Sequence, residues 1–180
     1  MPRLGGLTGL RLVGEHEARF ARVCVANTGL PTGDQVASDE FLQWRSFSQE
    51  VEVFPTDGII DMATTTTLAP EVVAAYDAPY PDESYKAAAR AFPPLVPVTA
   101  DNPANQANRE AWTVLSKFEK PFLTAFSDSD PISAGGEKIF LKKVPGTAGQ
   151  PHTTIRDAGH FLQEDKGEEI AAILCTWMKG

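Results

Sequence analysis

Three short apolar runs, each followed by a turn-rich stretch, restrict this chain to a parallel α/β architecture. Residues 20–26 (Phe20-Ala21-Arg22-Val23-Cys24-Val25-Ala26) stop at Asn27-Thr28-Gly29 and Pro31-Thr32-Gly33. Residues 121–126 (Pro121-Phe122-Leu123-Thr124-Ala125-Phe126) run into Ser127-Asp128-Ser129-Asp130-Pro131, and residues 151–156 into Asp157-Ala158-Gly159-His160. Runs this short and this apolar, bounded by turn residues, read as strands buried on both faces. Helix-forming segments lie at 5–16, 103–118, roughly 135–142 and 164–178, so the order is α-β, a long insertion, then α-β-α-β-α. That alternation is the connectivity of a parallel sheet covered by helices on both faces. A glycine pair, Gly5-Gly6, opens the first helix and would let it approach a neighbouring strand closely.

The insertion has a different grammar. Residues 34–49, 70–76 and 82–92 can each form a helix, Asp82 preceding a run of strong helix formers, and no convincing strand separates them. Thr64, Thr65, Thr66 and Thr67 form a β-branched run best read as a connector or a helix start. Phe92-Pro93-Pro94-Leu95-Val96-Pro97 then breaks the helical pattern. The expected organisation is therefore a sheet domain made of residues 1–29 and 101–180, interrupted by an all-helical lobe over 30–100.

With 180 residues, 42% of them hydrophobic and 22% charged, the chain suits one core with an insertion rather than disorder. A net charge of −8 argues against a nucleic-acid partner, which calls for clustered Lys and Arg. No stretch reaches the roughly 18–20 consecutive apolar residues of a membrane span, and the first residues lack a signal-peptide pattern. A cytoplasmic protein with no membrane partner is expected. Cys24 and Cys175 form no CxxC pair and are expected as buried, reduced thiols. His16, His152 and His160 show no metal-ligand spacing, so no metal is expected.

In parallel sheets the working residues sit on loops beyond the carboxyl ends of strands. Asp130 and His160 both occupy such loops, which open on the same edge, so the two can meet across thirty residues of sequence. A carboxylate that fixes the tautomer of a histidine base and stabilises its imidazolium is a recurrent hydrolytic arrangement. The plain alternative is that Asp130 caps the following helix and His160 is an ordinary loop histidine.

Five segments, Gly5-Gly6-Leu7-Thr8-Gly9-Leu10-Arg11-Leu12, Val25-Ala26-Asn27-Thr28-Gly29-Leu30-Pro31, Ala75-Tyr76-Asp77-Ala78-Pro79-Tyr80-Pro81-Asp82, Phe126-Ser127-Asp128-Ser129-Asp130-Pro131 and Gly159-His160-Phe161-Leu162-Gln163-Glu164-Asp165, together resemble the haloalkane dehalogenases of the α/β-hydrolase superfamily, in that family's order and over essentially the whole chain. The resemblance implies an α/β-hydrolase fold with an inserted all-helical cap. It also implies hydrolysis of small halogenated hydrocarbons with water, releasing halide, without cofactor or metal. An aspartate displaces the halide to give an alkyl ester, a histidine activates water to cleave it, and a second acid orients the histidine. Two tryptophan N–H groups hold the departing halide. By this resemblance His160 is the base and Asp130 its acid, the alternative acid position of the family falling near Asn27. Trp44 is the halide-holding tryptophan of the cap, and Phe41, Phe92, Pro93, Val96 and Ile132 line the substrate pocket. Trp112 and Trp177 have no match and read as packing.

The departures lie at the start. The family carries Asp-Trp immediately before Gly-Gly, and here those positions are Arg3 and Leu4. Arginine cannot form the ester intermediate, and leucine has no N–H to offer halide. The expectation is a C-terminal part of such an enzyme, with a truncated sheet, low or no activity alone, and self-association through an exposed strand edge. Two other readings stay open: a non-catalytic fragment that binds a ligand or a protein, and another α/β-hydrolase such as an epoxide hydrolase, for which Tyr76, Tyr80 and Tyr85 would have to polarise an oxirane.

Overall fold

A computed structural model describes residues 4–180, so the reading placed on Arg3 lies outside the described residues. Three strands, β1 (Val23–Val25), β2 (Phe122–Ser127) and β3 (Thr153–Ile155), form a parallel sheet in the order β1-β2-β3. Val23 pairs with Phe122 and Val25 with Thr124, while Ala125 pairs with Thr153 and Ser127 with Ile155. All six residues of β2 are buried, which explains why its sequence is an unbroken apolar run rather than an alternating one.

Helices α1 (Leu4–Glu15), α6 (Asn105–Leu115) and α7 (Glu137–Lys143) cover one face, and α8 (Leu162–Lys179) covers the other. The first face buries Leu10, Val13, Leu115, Phe118, Phe122 and Phe140, with Trp112, Phe140 and Phe122 stacked in series at 5.5 Å centroid separations. The second buries Ala125, Ile155, Ala158 and Leu162 against Ile170 and Ile173. This three-layer arrangement is the one expected from the order of apolar runs. Of the glycine pair, Gly6 makes the close approach, a Cβ there falling 1.8 Å from the Thr28 hydroxyl, whereas Gly5 has open space.

Between β1 and α6 the described residues hold no strand. Helices α2 (Asp39–Glu50), α3 (Thr56–Met62), α4 (Pro70–Asp77) and α5 (Ala87–Ala91) fill this span, and Ile59 of α3 and Ala89 of α5 form a small core with Phe54 of the α2–α3 connection, packed against Trp44 and Val51. Several boundaries differ from expectation. Helix α2 starts at Asp39 rather than 34, because the Ser38 hydroxyl accepts the Phe41 N–H at its N-terminus while Asp34 is held in the preceding loop by Thr32 and Arg109. Residues 82–92 divide into a 3₁₀ turn (Glu83–Lys86) capped by Asp82 and the short α5. Helix α3 has no counterpart in the sequence reading. Cys24 is half-buried, with its thiol pushed up to about 11 by desolvation, but Cys175 is exposed rather than buried. Among the described residues no helix is long and apolar enough to cross a membrane.

Candidate active site

The carboxyl ends of β1, β2 and β3 deliver Asn27, Asp130 and His160 to one edge of the sheet. His160 Nδ1 lies 2.9 Å from Asp130 Oδ2, and both side chains are buried. Asp130 also accepts the Ile132 N–H at 2.9 Å and the Ser133 hydroxyl. Burial opposes its ionisation, but the hydrogen bond and charge of His160, with the Ser133 and Ile132 donors, outweigh it and hold the carboxyl below the usual carboxylate range. Beside the ionised carboxylate, an acceptor only, the neutral imidazole places its proton on Nδ1 and its lone pair on Nε2. That Nε2 atom is buried without a hydrogen-bond partner among the described residues.

His160 borders an apolar cavity of about 300 Å³ whose walls include Leu7, Phe41, Trp44, Val96, Trp112 and Ile132. Trp44 is braced edge-on by Phe54 at 6.1 Å, and its Nε1 is likewise buried and unpartnered. Trp44, Ile132 and His160 also border a second cavity of about 120 Å³ with Ile59, Met62, Ala63 and Phe161. Phe41, Val96 and Ile132 thus share a cavity with Trp44 and His160. Phe92 and Pro93 do not: Phe92 faces an outer groove beside Leu4, Leu12 and Leu95, and Pro93 packs inside a 3₁₀ turn (Pro93–Leu95).

Trp112 is more than packing, since it lines the cavity while donating its Nε1–H to the Leu30 carbonyl at 2.7 Å. Trp177 lies far off at the amino end of the sheet, bonded to Gln150 beneath Arg22. Tyr76, Tyr80 and Tyr85 do not border the cavity; the Tyr76 hydroxyl donates to Glu164 and Tyr85 is exposed. Asp34 and Asp128, two other carboxylates near the strand ends, do not border it either. Among the described residues no group of three or more His, Cys, Asp or Glu could hold a metal ion.

Asn27, which the sequence reading placed only near the family's alternative acid position, joins the strand ends to the histidine loop. Its Nδ2 donates to Ser127 Oγ at 2.7 Å, to the Gly159 carbonyl at 3.0 Å and to the His160 carbonyl at 3.2 Å. Its Oδ1 accepts the Ser127 N–H at 2.8 Å. One buried amide thus ties the ends of β1 and β2 to the loop that carries His160. The backbone adopts φ 43° there, a left-handed conformation that asparagine tolerates better than most residues. The available signal was Asn27 itself: a polar side chain closing an otherwise apolar strand before Thr28-Gly29.

A parallel sheet sandwiched by helices, with an acid and a histidine on adjacent strand-end loops, is the arrangement of an α/β-hydrolase. Comparison with known proteins finds that the chain is similar to haloalkane dehalogenases over nearly its whole length. It is 57% identical over 174 residues to a curated haloalkane dehalogenase of Psychrobacter cryohalolentis, covering 97% of this chain and 57% of that protein. It is 45% identical over 173 residues to one of Mycobacterium marinum, covering 96% and 58% respectively. The structure superimposes on the tetrameric haloalkane dehalogenase of Paraglaciecola agarilytica with a TM-score of 0.83 and 27% identity, over 95% of this chain and 56% of that one. A haloalkane dehalogenase of Agrobacterium tumefaciens, 20% identical, shares the fold with a TM-score of 0.78 over 99% of this chain and 64% of that one. No protein-family model matches the chain. The chain spans about 57% of the length of the curated relatives it matches.

Proposed function

We propose that this chain forms the base, acid and halide-holding side of a haloalkane dehalogenase-type hydrolase acting on small halogenated hydrocarbons. One observation carries the reading: an acceptor, His160 Nε2, and a donor, Trp44 Nε1, border one apolar cavity, both without partners among the described residues. A haloalkane is apolar and needs a donor only where halide charge develops, which is what this lining offers. Residues 30–100 act as the cap that carries Trp44 over the sheet. Two unpaired cysteines suit a cytoplasmic setting.

In the proposed cycle a carboxylate oxygen bonds to the halogen-bearing carbon as the carbon–halogen bond breaks, and the halide leaves with the electron pair toward the Trp44 N–H. Water then attacks the carbonyl carbon of the alkyl ester and gives a proton to His160 Nε2. Asp130 stabilises the imidazolium, and that proton passes to the departing alkoxide, which leaves as alcohol; the carboxylic acid left behind then loses its own proton to solvent, which restores the carboxylate and completes the net release of halide and H⁺. Arg3 and Leu4 stand where the resemblance puts the attacking aspartate and the second halide donor. Turnover by this chain alone is therefore expected to be weak or nil.

The test compares halide release from 1,2-dibromoethane by the chain, by an Arg3→Asp/Leu4→Trp variant, and by that variant with His160→Ala. The reading expects sustained release from the double variant and release that stops after one equivalent without His160. Sustained turnover without His160 would overturn the assignment of the base. Release from neither variant would favour the second reading, a non-catalytic chain that keeps an apolar ligand pocket, to which Arg3 and Leu4 already point. An epoxide hydrolase is disfavoured because none of the three tyrosines borders the cavity.

A further inference from the structure

Two acids that the proposed chemistry does not use, Glu164 and Asp165, stand in the first turn of α8, five residues or fewer beyond His160. The Asp165 carboxylate accepts three backbone N–H groups: Gly159 at 2.8 Å, Thr66 at 2.8 Å, and Thr65 at 3.1 Å to each oxygen. Two of these donors belong to the helical segment, and the third is the residue immediately before His160.

Other contacts run along the same seam. The Phe161 N–H donates to the Ala63 carbonyl at 3.1 Å, the Thr65 hydroxyl to the Asp157 carbonyl at 2.7 Å, and the Tyr76 hydroxyl to Glu164. Gly159 leaves no room to spare, since a Cβ there would fall 2.5 Å from the Ala63 carbonyl oxygen. The helix breaks at Lys166, where φ is −140°, so the two acids sit on a short turn distinct from the long body of α8. The threonine run that reads in sequence as a mere connector is one wall of this seam.

We infer that Asp165 is a positioning residue that clasps the threonine loop of the helical segment to the histidine loop and so fixes where Trp44 stands relative to His160. The need for such a clasp follows from the packing. Trp44 belongs to the small core of Phe54, Ile59 and Ala89, whereas His160 is held to the sheet ends by Asn27 and Asp130. A polar, directional contact adds to packing in fixing how the two parts sit, and a carboxylate with three N–H donors is a strong joint. The inference rests on the reading of His160 as the base.

The experiment follows amide hydrogen exchange and the Nδ1 proton of His160 by NMR in the full chain and in Asp165→Ala and Asp165→Asn. In Asp165→Ala the Thr65, Thr66 and Gly159 amides should lose protection together, by about tenfold or more each, as expected for hydrogen bonds to a charged group. The His160 Nδ1 proton should exchange faster with them. Asp165→Asn, which keeps one acceptor oxygen of the two, should restore one side of the clasp and not both; it also serves if the alanine variant does not fold. If Thr65 and Thr66 lose protection while Gly159 and the His160 proton keep theirs, Asp165 merely caps the threonine loop and the inference is overturned. Unchanged exchange at all four positions overturns it equally. No substrate is involved, so this result stands apart from the halide-release test of the proposed function.

Discussion

His160 donates its Nδ1 proton to Asp130 across 2.9 Å, and the two side chains are only 6% and 1% exposed. This pair is what turns a loop histidine into a base with a defined tautomer, because the ionised acid leaves Nε2 as the only free acceptor on the ring. Asp130→Asn should reverse the tautomer, placing the proton on Nε2, since the amide oxygen and nitrogen cannot both serve as the carboxylate does. Imidazole ¹⁵N shifts measure this directly. In a variant with restored halide release, the same change should cut turnover by roughly 10³–10⁴-fold, the scale known for a triad acid replaced by its amide.

Asn27→Ala should destabilise the fold by about 3 kcal/mol, because it leaves the His160 carbonyl and the Ser127 N–H buried without their partner and the Gly159 carbonyl with the Ser127 hydroxyl alone. Asn27→Asp should cost about as much, since a carboxylate keeps the acceptor for Ser127 but turns oxygen toward two carbonyls. Urea unfolding would read both; a loss below about 0.5 kcal/mol would mean that the histidine loop does not depend on this amide.

Acid should loosen the helical segment. Hydrogen bonds from Lys86, then Arg90 and the Phe54 N–H lower the Glu83 carboxyl from 4.5 to about 2. A depressed carboxylate contributes stability that is complete above its unfolded pKa and is lost as pH falls through the folded one. The stability of the segment should therefore hold above about pH 4.5 and fall between there and about 2. Glu83→Gln should flatten that slope in thermal melts, and an unaltered slope would exclude Glu83 as its source.

Strand β1 pairs on one side only among the described residues. The Val23 N–H donates toward β2, to the Pro121 carbonyl at 2.9 Å, so alternation along a parallel strand turns the backbone of Cys24 toward the open side. Concentration-dependent association through this edge is expected in sedimentation velocity. Cys24→Pro, which removes the outward N–H, should reduce it. Association that is unchanged in the variant would place the contact elsewhere.

The sheet was legible because its strands obey a strong rule: a strand buried on both faces must be apolar throughout, as Phe122 to Phe126 are. The same rule marks where strands end, which is why Asp130 and His160 could be paired from sequence. What stayed hidden depends on tertiary contacts. Helix α3 is seven residues long, too short for a 3.6-residue period to declare itself. Phe92 looked like a pocket residue because it is aromatic in a fitting context, yet it lies in the outer groove beside Leu95, a placement that only tertiary packing decides. Asn27 and Asp165 act by reaching backbone groups 132 and 100 residues away, and nothing local reports such a partner.

A bromide titration followed at the indole N–H resonances tests the central claim most directly, since it asks whether the unpartnered Trp44 Nε1 is aimed at a halide site. The account predicts a saturable shift at Trp44, a smaller perturbation at His160, and no change at Trp177, with Trp44→Phe abolishing the His160 response. A shift that never saturates, or one shared equally by all three tryptophans, would show that the cavity beside His160 does not hold halide.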